Sequence, residues 1–278
     1  MRFLDVKTDY AFKKVFGSEQ SKAILIDFLN ALINFPDTSI TDLVIVDPYQ
    51  IPLIKGMKDS YVDVKAVLAN NTHVIIEMQL LNYEGFEKRV LYNAAKLYSS
   101  QLMRAEDYET LEPIIALTIT DFPMFKDLPQ IITYWHVREK ETLLKYNDDI
   151  ELIFVELPKF NKREDELVTV TDKWLYFLRN AESLEFIPQT ITEPPLLNAF
   201  DIANTAGMDA DELELQFKRK DFIYMQRKSL EKAQKEGLMQ GREETLRQMI
   251  QNMLALNLPM ETIGIVTGLS FEEIQDLQ

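Results

Sequence analysis

Two neighbouring segments with strand-like alternation, 61–68 and 72–81, constrain this chain more than any other feature. Both are rich in β-branched residues, which suit a pleated, half-buried surface. Side chains on a strand alternate faces. Val62, Val64, Ala66 and Leu68 therefore share one side of the first segment, and Val74, Ile76, Met78 and Leu80 share one side of the second. Burying both sets in one layer selects the pairing, because a one-residue slip inverts every side chain. That pairing needs Ala69-Asn70-Asn71 as a three-residue turn, and Asn tolerates the left-handed backbone such a turn uses. Leu68 then pairs with Thr72, and Asp63 falls opposite Glu77. A two-residue Asn-Asn turn would pair position 63 with 78 and send the two acids to opposite faces. The polar face expected from the first pairing holds Asp63, Lys65, Val67, His73, Ile75, Glu77 and Gln79.

Directly opposed side chains have Cβ atoms roughly 4.5–5.5 Å apart. Two carboxylates that close repel, so a positive charge must offset them or one must stay protonated. A divalent cation is the simplest offset. The chain has no Cys and only two His, His73 and His136. Disulfide scaffolds, Cys-ligated zinc, iron–sulfur clusters, thiol nucleophiles and His-rich metal sites are thereby excluded. A metal would be held by oxygen, which favours Mg²⁺, Mn²⁺ or Ca²⁺. Lys65, along the same face, can orient a water or neutralise charge on a phosphate. Gln79 can donate or accept a hydrogen bond there but carries no charge.

The surrounding chain reads as α-α-β-β-β-α-β. Thr8 caps a first helix that Gly17 ends, and Ser18 starts a second, with an apolar stripe of Ala23, Ile24, Leu25, Phe28, Leu29 and Leu32. Pro36 and Asp37 close it. Strand-like runs cover 41–46 and 113–120, and the spacing of Phe86, Val90, Ala94, Leu97 and Leu102 predicts a helix over 86–103. Beyond Asp121 the pattern weakens. A strand over 151–157 and a helix over 172–179 stand out, and Pro188, Pro194 and Pro195 suggest a boundary near 188–200. The expected organisation is a domain over 1–200 and a charged helical region over 201–278. That region ends in a hairpin like a helix-turn-helix, with Pro259 in a first turn, Thr267-Gly268-Leu269 as the turn and Ser270-Phe271-Glu272-Glu273 as a capping box.

The formal net charge is −15 over 278 residues. Segment 218–247 departs from it, with nine basic and five acidic side chains and a net charge of +4. It is a candidate for phosphate contact, for a partner helix and so for a homo-oligomer, or for an ordinary solvated helix. No stretch approaches the roughly 18 apolar residues of a membrane span. The early charges of Met1-Arg2-Phe3-Leu4-Asp5 do not suit a secretory signal. A soluble, cytoplasmic protein is expected, nucleoid-associated if it acts on DNA.

With these residues in place, the chain resembles the PD-(D/E)XK nuclease superfamily, and within it the recombination-promoting nuclease (Rpn)/transposase family. Asp63 followed by Glu77-Met78-Gln79 matches the pattern of an acid opening one strand and E-x-K or E-x-Q in the next. Thr8-Asp9-Tyr10-Ala11-Phe12-Lys13-Lys14-Val15-Phe16-Gly17 is similar to the family's opening signature. Arg89-Val90-Leu91-Tyr92 and the tail from Gly241-Arg242-Glu243 to Thr267-Gly268-Leu269-Ser270 are similar as well. The resemblance implies an α/β fold with a restriction-endonuclease-like αβββαβ core, a mixed sheet flanked by helices, and a helical C-terminal region. It implies a divalent-metal-dependent DNA endonuclease that promotes recombination. Asp63 and Glu77 carry over as metal ligands with the Met78 backbone carbonyl, and Asp9 as a further acid. Gln79 stands where the wider superfamily has Lys, so Lys65, Lys13 or Arg89 would supply positive charge. Lys13, Arg89 and Lys96, with Lys88, are expected to meet phosphates. The Gln79 position and the acidity also accommodate a nuclease fold that no longer cuts and serves as a DNA- or protein-binding or assembly module.

Overall fold

A computed structural model describes residues 2–35, 39–50, 60–102, 105–256 and 258–277. Pro36, Asp37 and Met103 lie outside them. Two compact units are present, Met1–Lys220 and Asp221–Gln278.

The first unit opens with helices α1 (Asp9–Phe16) and α2 (Lys22–Leu32), joined by a single 3₁₀ turn at Glu19–Ser21. Gly17 ends α1 because a Cβ there would stand 2.8 Å from the Lys13 carbonyl oxygen, too close for any other residue without movement. Strands β1 (Leu43–Val46), β4 (Val64–Leu68), β5 (His73–Gln79), β6 (Ile114–Thr120), β7 (Ile132–Trp135) and β8 (Ile150–Glu156) form one six-stranded sheet in the order β1-β4-β5-β6-β8-β7. β2 (Tyr49–Gln50) and β3 (Ser60–Tyr61) make a separate two-stranded ladder. β1, β4 and β5 are antiparallel, β5, β6 and β8 are parallel, and β7 returns antiparallel on the edge. The sheet is therefore mixed, in the αβββαβ order expected. β6 is buried along its whole length, as a central strand covered on both faces must be.

Helix α3 (Phe86–Ser99) joins β5 to β6 and covers one face, with Ala94 and Leu97 against Ile75, Ile114 and Ala116, and Phe86 and Val90 against Phe154. The other face carries the larger core. There α1, α2, α4 (Val170–Asn180) and α5 (Pro194–Ala203) pack on Val64, Ala66, Val74, Ile76, Leu117 and Ile153. Trp174 is fully buried, in ring contact with Phe16, Phe28 and Phe177, and its indole N–H donates to Asp27 at 2.7 Å. Each such ring removed from water contributes roughly 2–3 kcal/mol.

Several expected boundaries move. The predicted strand 61–68 is broken at Val62 and Asp63, and α3 stops at Ser99. Pro194 and Pro195 do not interrupt the pattern. They occupy the first turn of α5, where a missing N–H costs nothing, and Leu196, Ala199 and Phe200 then enter the main core. The unit ends in the first part of a 46-residue helix, α6 (Ala210–Ala255).

The second unit contains the rest of α6 with α7 (Met260–Thr267) and α8 (Phe271–Asp276), gathered on Ile250, Ile263 and Ile274. Gly268, at φ +71°, ends α7 in the left-handed conformation that favours glycine. The Ser270 hydroxyl caps α8 through the Glu273 N–H, and Glu273 returns the bond to the Ser270 N–H. Among the described residues, no helix is long and apolar enough to cross a membrane.

Candidate active site

The β4–β5 hairpin pairs Val64 with Ile76, Lys65 with Ile75, Ala66 with Val74 and Val67 with His73. Leu68 donates its N–H to the Thr72 carbonyl at 2.9 Å, and Asn71 takes the left-handed position, φ +66°. This is the register read from alternation. Carried one step further, it sets Asp63 opposite Glu77, and the Asp63 N–H holds the Ile76 carbonyl at 3.0 Å.

At that step the chain bends. Val62 lies with Ile75 and Ala94 beneath α3, not with Val64 in the main core, so its expected face is corrected. The bend also redirects Asp63. Its Oδ2 accepts the Met78 N–H at 2.7 Å, and its Oδ1 lies 3.7 Å from the Lys13 ammonium. Lys13 binds Asp9, one turn earlier on α1, at 2.7 Å. Glu77 faces the other way, towards α3. The Arg89 guanidinium forms an ion pair with its Oε1, yet no donor is aligned with that oxygen as in a hydrogen bond. Asp63 and Glu77 thus occupy opposed positions at one end of the β4–β5 pair, with their carboxyls turned to different helices. Arg89 links them, because the charges of both raise its pKa against the effect of its own burial.

Burial dominates the electrostatics. It pushes the Asp63 carboxyl up to about 7, helped by the neighbouring Asp9 and opposed by the Met78 N–H and Lys13. Burial also disfavours charge on Asp9, but hydrogen bonds from Lys13 and Asp63 and the charges of Lys13 and Arg219 outweigh it and hold Asp9 below its ordinary value. Of the two acids, Asp63 is therefore the more readily protonated. Glu77, only 7% exposed, is raised by burial and partly restored by Arg89 and Asn93.

The raised pKa of Asp63 has a consequence for stability. The Asp63 pKa is higher in the folded chain than in the unfolded one, so its contribution is complete below about pH 4 and is lost as pH rises through about 7. Urea titrations of metal-free protein between pH 5 and 8 should show stability falling by roughly 2–3 kcal/mol, since the Asp63 proton is lost about two pK units into that range and each unit is worth about 1.4 kcal/mol. Asp63→Asn should flatten that slope. An unchanged slope in the variant would place the proton elsewhere.

Other expected site residues are dispersed. Gln79 donates its amide to the Leu81 carbonyl at 2.8 Å. Lys65 pairs across to Val46 and is half-buried; burial lowers its pKa while Asp47 opposes the change. Lys96, expected to meet phosphates, is only 5% exposed on the inner side of α3, so that expectation is corrected. Lys88 is exposed. Asn93 was not anticipated. It lies one turn after Arg89 on the same helix face, is 1% exposed, and its amide favours ionised Glu77 without reaching an aligned hydrogen bond. Residues four apart on a helix share a face, but nothing in the sequence marks an Asn as facing an acid.

Among the described residues, no three acidic or imidazole side chains converge as a ready-made cluster. A hard cation such as Mg²⁺ does not need one, since one or two carboxylates with waters suffice. The donors present fit that requirement: an oxygen of Glu77 without an aligned donor, the Asp63 carboxyl, and the Met78 carbonyl. The last faces the same edge of β5 as the N–H that Asp63 holds.

Comparison with curated proteins and with solved structures gives no match. A family model described as PD-(D/E)XK nuclease family transposase matches residues 6–233, which takes in α1, the bend at Asp63, Glu77-Met78-Gln79, α3 and the first half of α6. The fold, the order of its acids and this match together place the chain in the PD-(D/E)XK nuclease family of transposases.

Proposed function

We propose that the protein is a divalent-metal-dependent DNA endonuclease that hydrolyses phosphodiester bonds and so promotes recombination. The observation that carries this reading is the placement of Asp63 and Glu77 at opposed positions of one end of the β4–β5 pair, with Arg89 in the field of both. Asp63, Glu77 and the Met78 carbonyl would hold Mg²⁺, with Mn²⁺ or Ca²⁺ as substitutes. Bound there, the cation would supply Lewis-acid activation of a water and neutralise charge on the phosphate.

The chain's own residues supply the rest. Lys13 and Arg89 offer positive charge to the phosphate oxygens, which Gln79 cannot do. Arg89 is held by Tyr83 at 2.7 Å, which orients its guanidinium. Asp9 stays ionised while Asp63 would give up its proton to solvent on taking up the cation, so the pair would gain one negative charge without rearranging. Water attacks in line and the 3′ oxygen leaves, a reaction governed by positioning and charge. Assembly through the C-terminal helices belongs to the same reading, supported by Leu230, Leu238 and Met239 exposed along α6.

The test is conversion of supercoiled plasmid by purified protein with Mg²⁺, Mn²⁺ or Ca²⁺, against the same protein in EDTA. Metal-dependent nicking or linearisation is expected. DNA binding with no cleavage under any of the three metals would favour a nuclease fold that has become a binding module.

A further inference from the structure

A second cluster of charge lies beside the acids and belongs to neither of them. An open cleft of about 420 Å³ is lined by Asp9, Tyr10, Lys13, Lys14 and Arg219. Four of these residues come from α1 and the fifth from α6, more than two hundred positions later. The Tyr10 ring organises them. The Lys14 ammonium is 5.5 Å and the Arg219 guanidinium 5.6 Å from its centroid, within the range of a cation–π contact. Glu212 of α6 accepts the Tyr10 hydroxyl at 2.5 Å and so fastens the two helices together.

Lys13 is paired closely with Asp9, but the other two cations are only loosely countered. Lys14 is 3.4 Å from Glu212, and Arg219 is 3.8 Å from Asp9. Lys13, Lys14 and Arg219 against Asp9 and Glu212 leave one net positive charge, in a chain whose total is −15. Such an island on an acidic protein collects anions that the rest of the surface repels. Lys13 lines the cleft and stands 3.7 Å from Asp63, so the cleft reaches the candidate active site.

We propose that this cleft is a phosphate-binding subsite for the DNA backbone, in which Lys14 and Arg219 hold a phosphodiester next to the one presented to Asp63. The inference rests on the nuclease reading and extends it, because it assigns substrate positioning to the start of α6. Tyr10 acts as the platform that holds both cations in place, and Glu212 acts as the counter-charge that the phosphate displaces from Lys14.

The test is binding of a fluorescent DNA duplex to the full chain with Ca²⁺ present, followed by anisotropy across a salt series. Ca²⁺ is included because uncompensated carboxylates would repel the phosphate. Arg219→Ala and Lys14→Ala should each weaken binding about tenfold and reduce the salt slope by about one, as loss of one phosphate contact does. Lys140→Ala, which removes an exposed charge outside the cleft, should leave both unchanged. Glu212→Gln keeps an acceptor for Tyr10 but frees Lys14, and should tighten binding several-fold. Wild-type binding with Arg219→Ala and Lys14→Ala indistinguishable from it overturns the subsite alone. Absence of binding by the wild type overturns both the subsite and the nuclease reading.

Discussion

Replacing Asp63 or Glu77 by alanine should lower metal-dependent DNA hydrolysis at least a hundredfold. Loss of a group that merely supports a metal ligand costs about 10–100-fold, and these two side chains are the proposed ligands themselves. The two substitutions differ in their side effects. Asp63→Ala leaves the Met78 N–H without its acceptor, while Lys13 keeps its ion pair with Asp9. Glu77→Ala leaves Arg89 without its buried counter-charge. Asp63→Asn and Glu77→Gln keep the volume while removing the charge, and should lose hydrolysis equally. Rates on supercoiled plasmid, with circular dichroism as the check on folding, measure the effect. Melting curves add a second readout. Millimolar Mg²⁺ should raise the midpoint of the wild type and not that of Glu77→Gln, because a ligand bound by the native state alone stabilises it. Equal rates for wild type and variants in all three metals would remove the catalytic role from both acids.

The largest effect on stability is expected far from those acids, at Glu156. This carboxylate closes β8 and is completely buried. One oxygen accepts the Met124 and Phe125 N–H groups at 2.6 and 3.1 Å, and the other meets the Lys159 ammonium at 2.5 Å. Lys159 in turn donates to the Phe125 and Leu128 carbonyls at 2.9 and 2.6 Å. The group therefore pins the loop after β6 to the end of the sheet. Glu156→Ala orphans two backbone donors and leaves one largely buried ammonium without its counter-charge. Removing one member of such a pair costs about 3–5 kcal/mol, which for a unit of this size lowers the melting midpoint by roughly 10 °C. Glu156→Leu combined with Lys159→Met removes the stranded charge but not the stranded N–H groups, so the double variant should lose less than the sum of the single losses. A Glu156→Ala midpoint within about 2 °C of wild type would show that the loop has another anchor.

Much of the architecture was legible before any coordinates. The β4–β5 register followed from alternation alone, because only one pairing buries Val64, Ala66, Val74 and Ile76 together, and Asn71 supplied the turn. The α7–α8 hairpin followed from Gly268 and the Ser270 capping box, and α3 from its apolar spacing. The short β2, Tyr49–Gln50, was not anticipated, nor were two longer elements. β7, Ile132–Trp135, is an edge strand with two of its four residues exposed, so it carries no clear period. α5 begins with two prolines, which mark a first turn and an interruption equally well.

The sequence by itself therefore determined most of the strands and helices that build the site, how β4 meets β5, and that Asp63 stands across from Glu77. These follow from period, turn chemistry and caps, which act within a few residues. Only the tertiary structure decided where the acids point and what surrounds them. The bend at Asp63 turned one carboxyl towards Asp9 and Lys13 and left the other with Arg89 and Asn93. Lys96 went into the interior, and Arg219 came to Tyr10. Such contacts join residues tens to hundreds of positions apart, and they are selected by how whole faces pack together, for which no local pattern provides a signal.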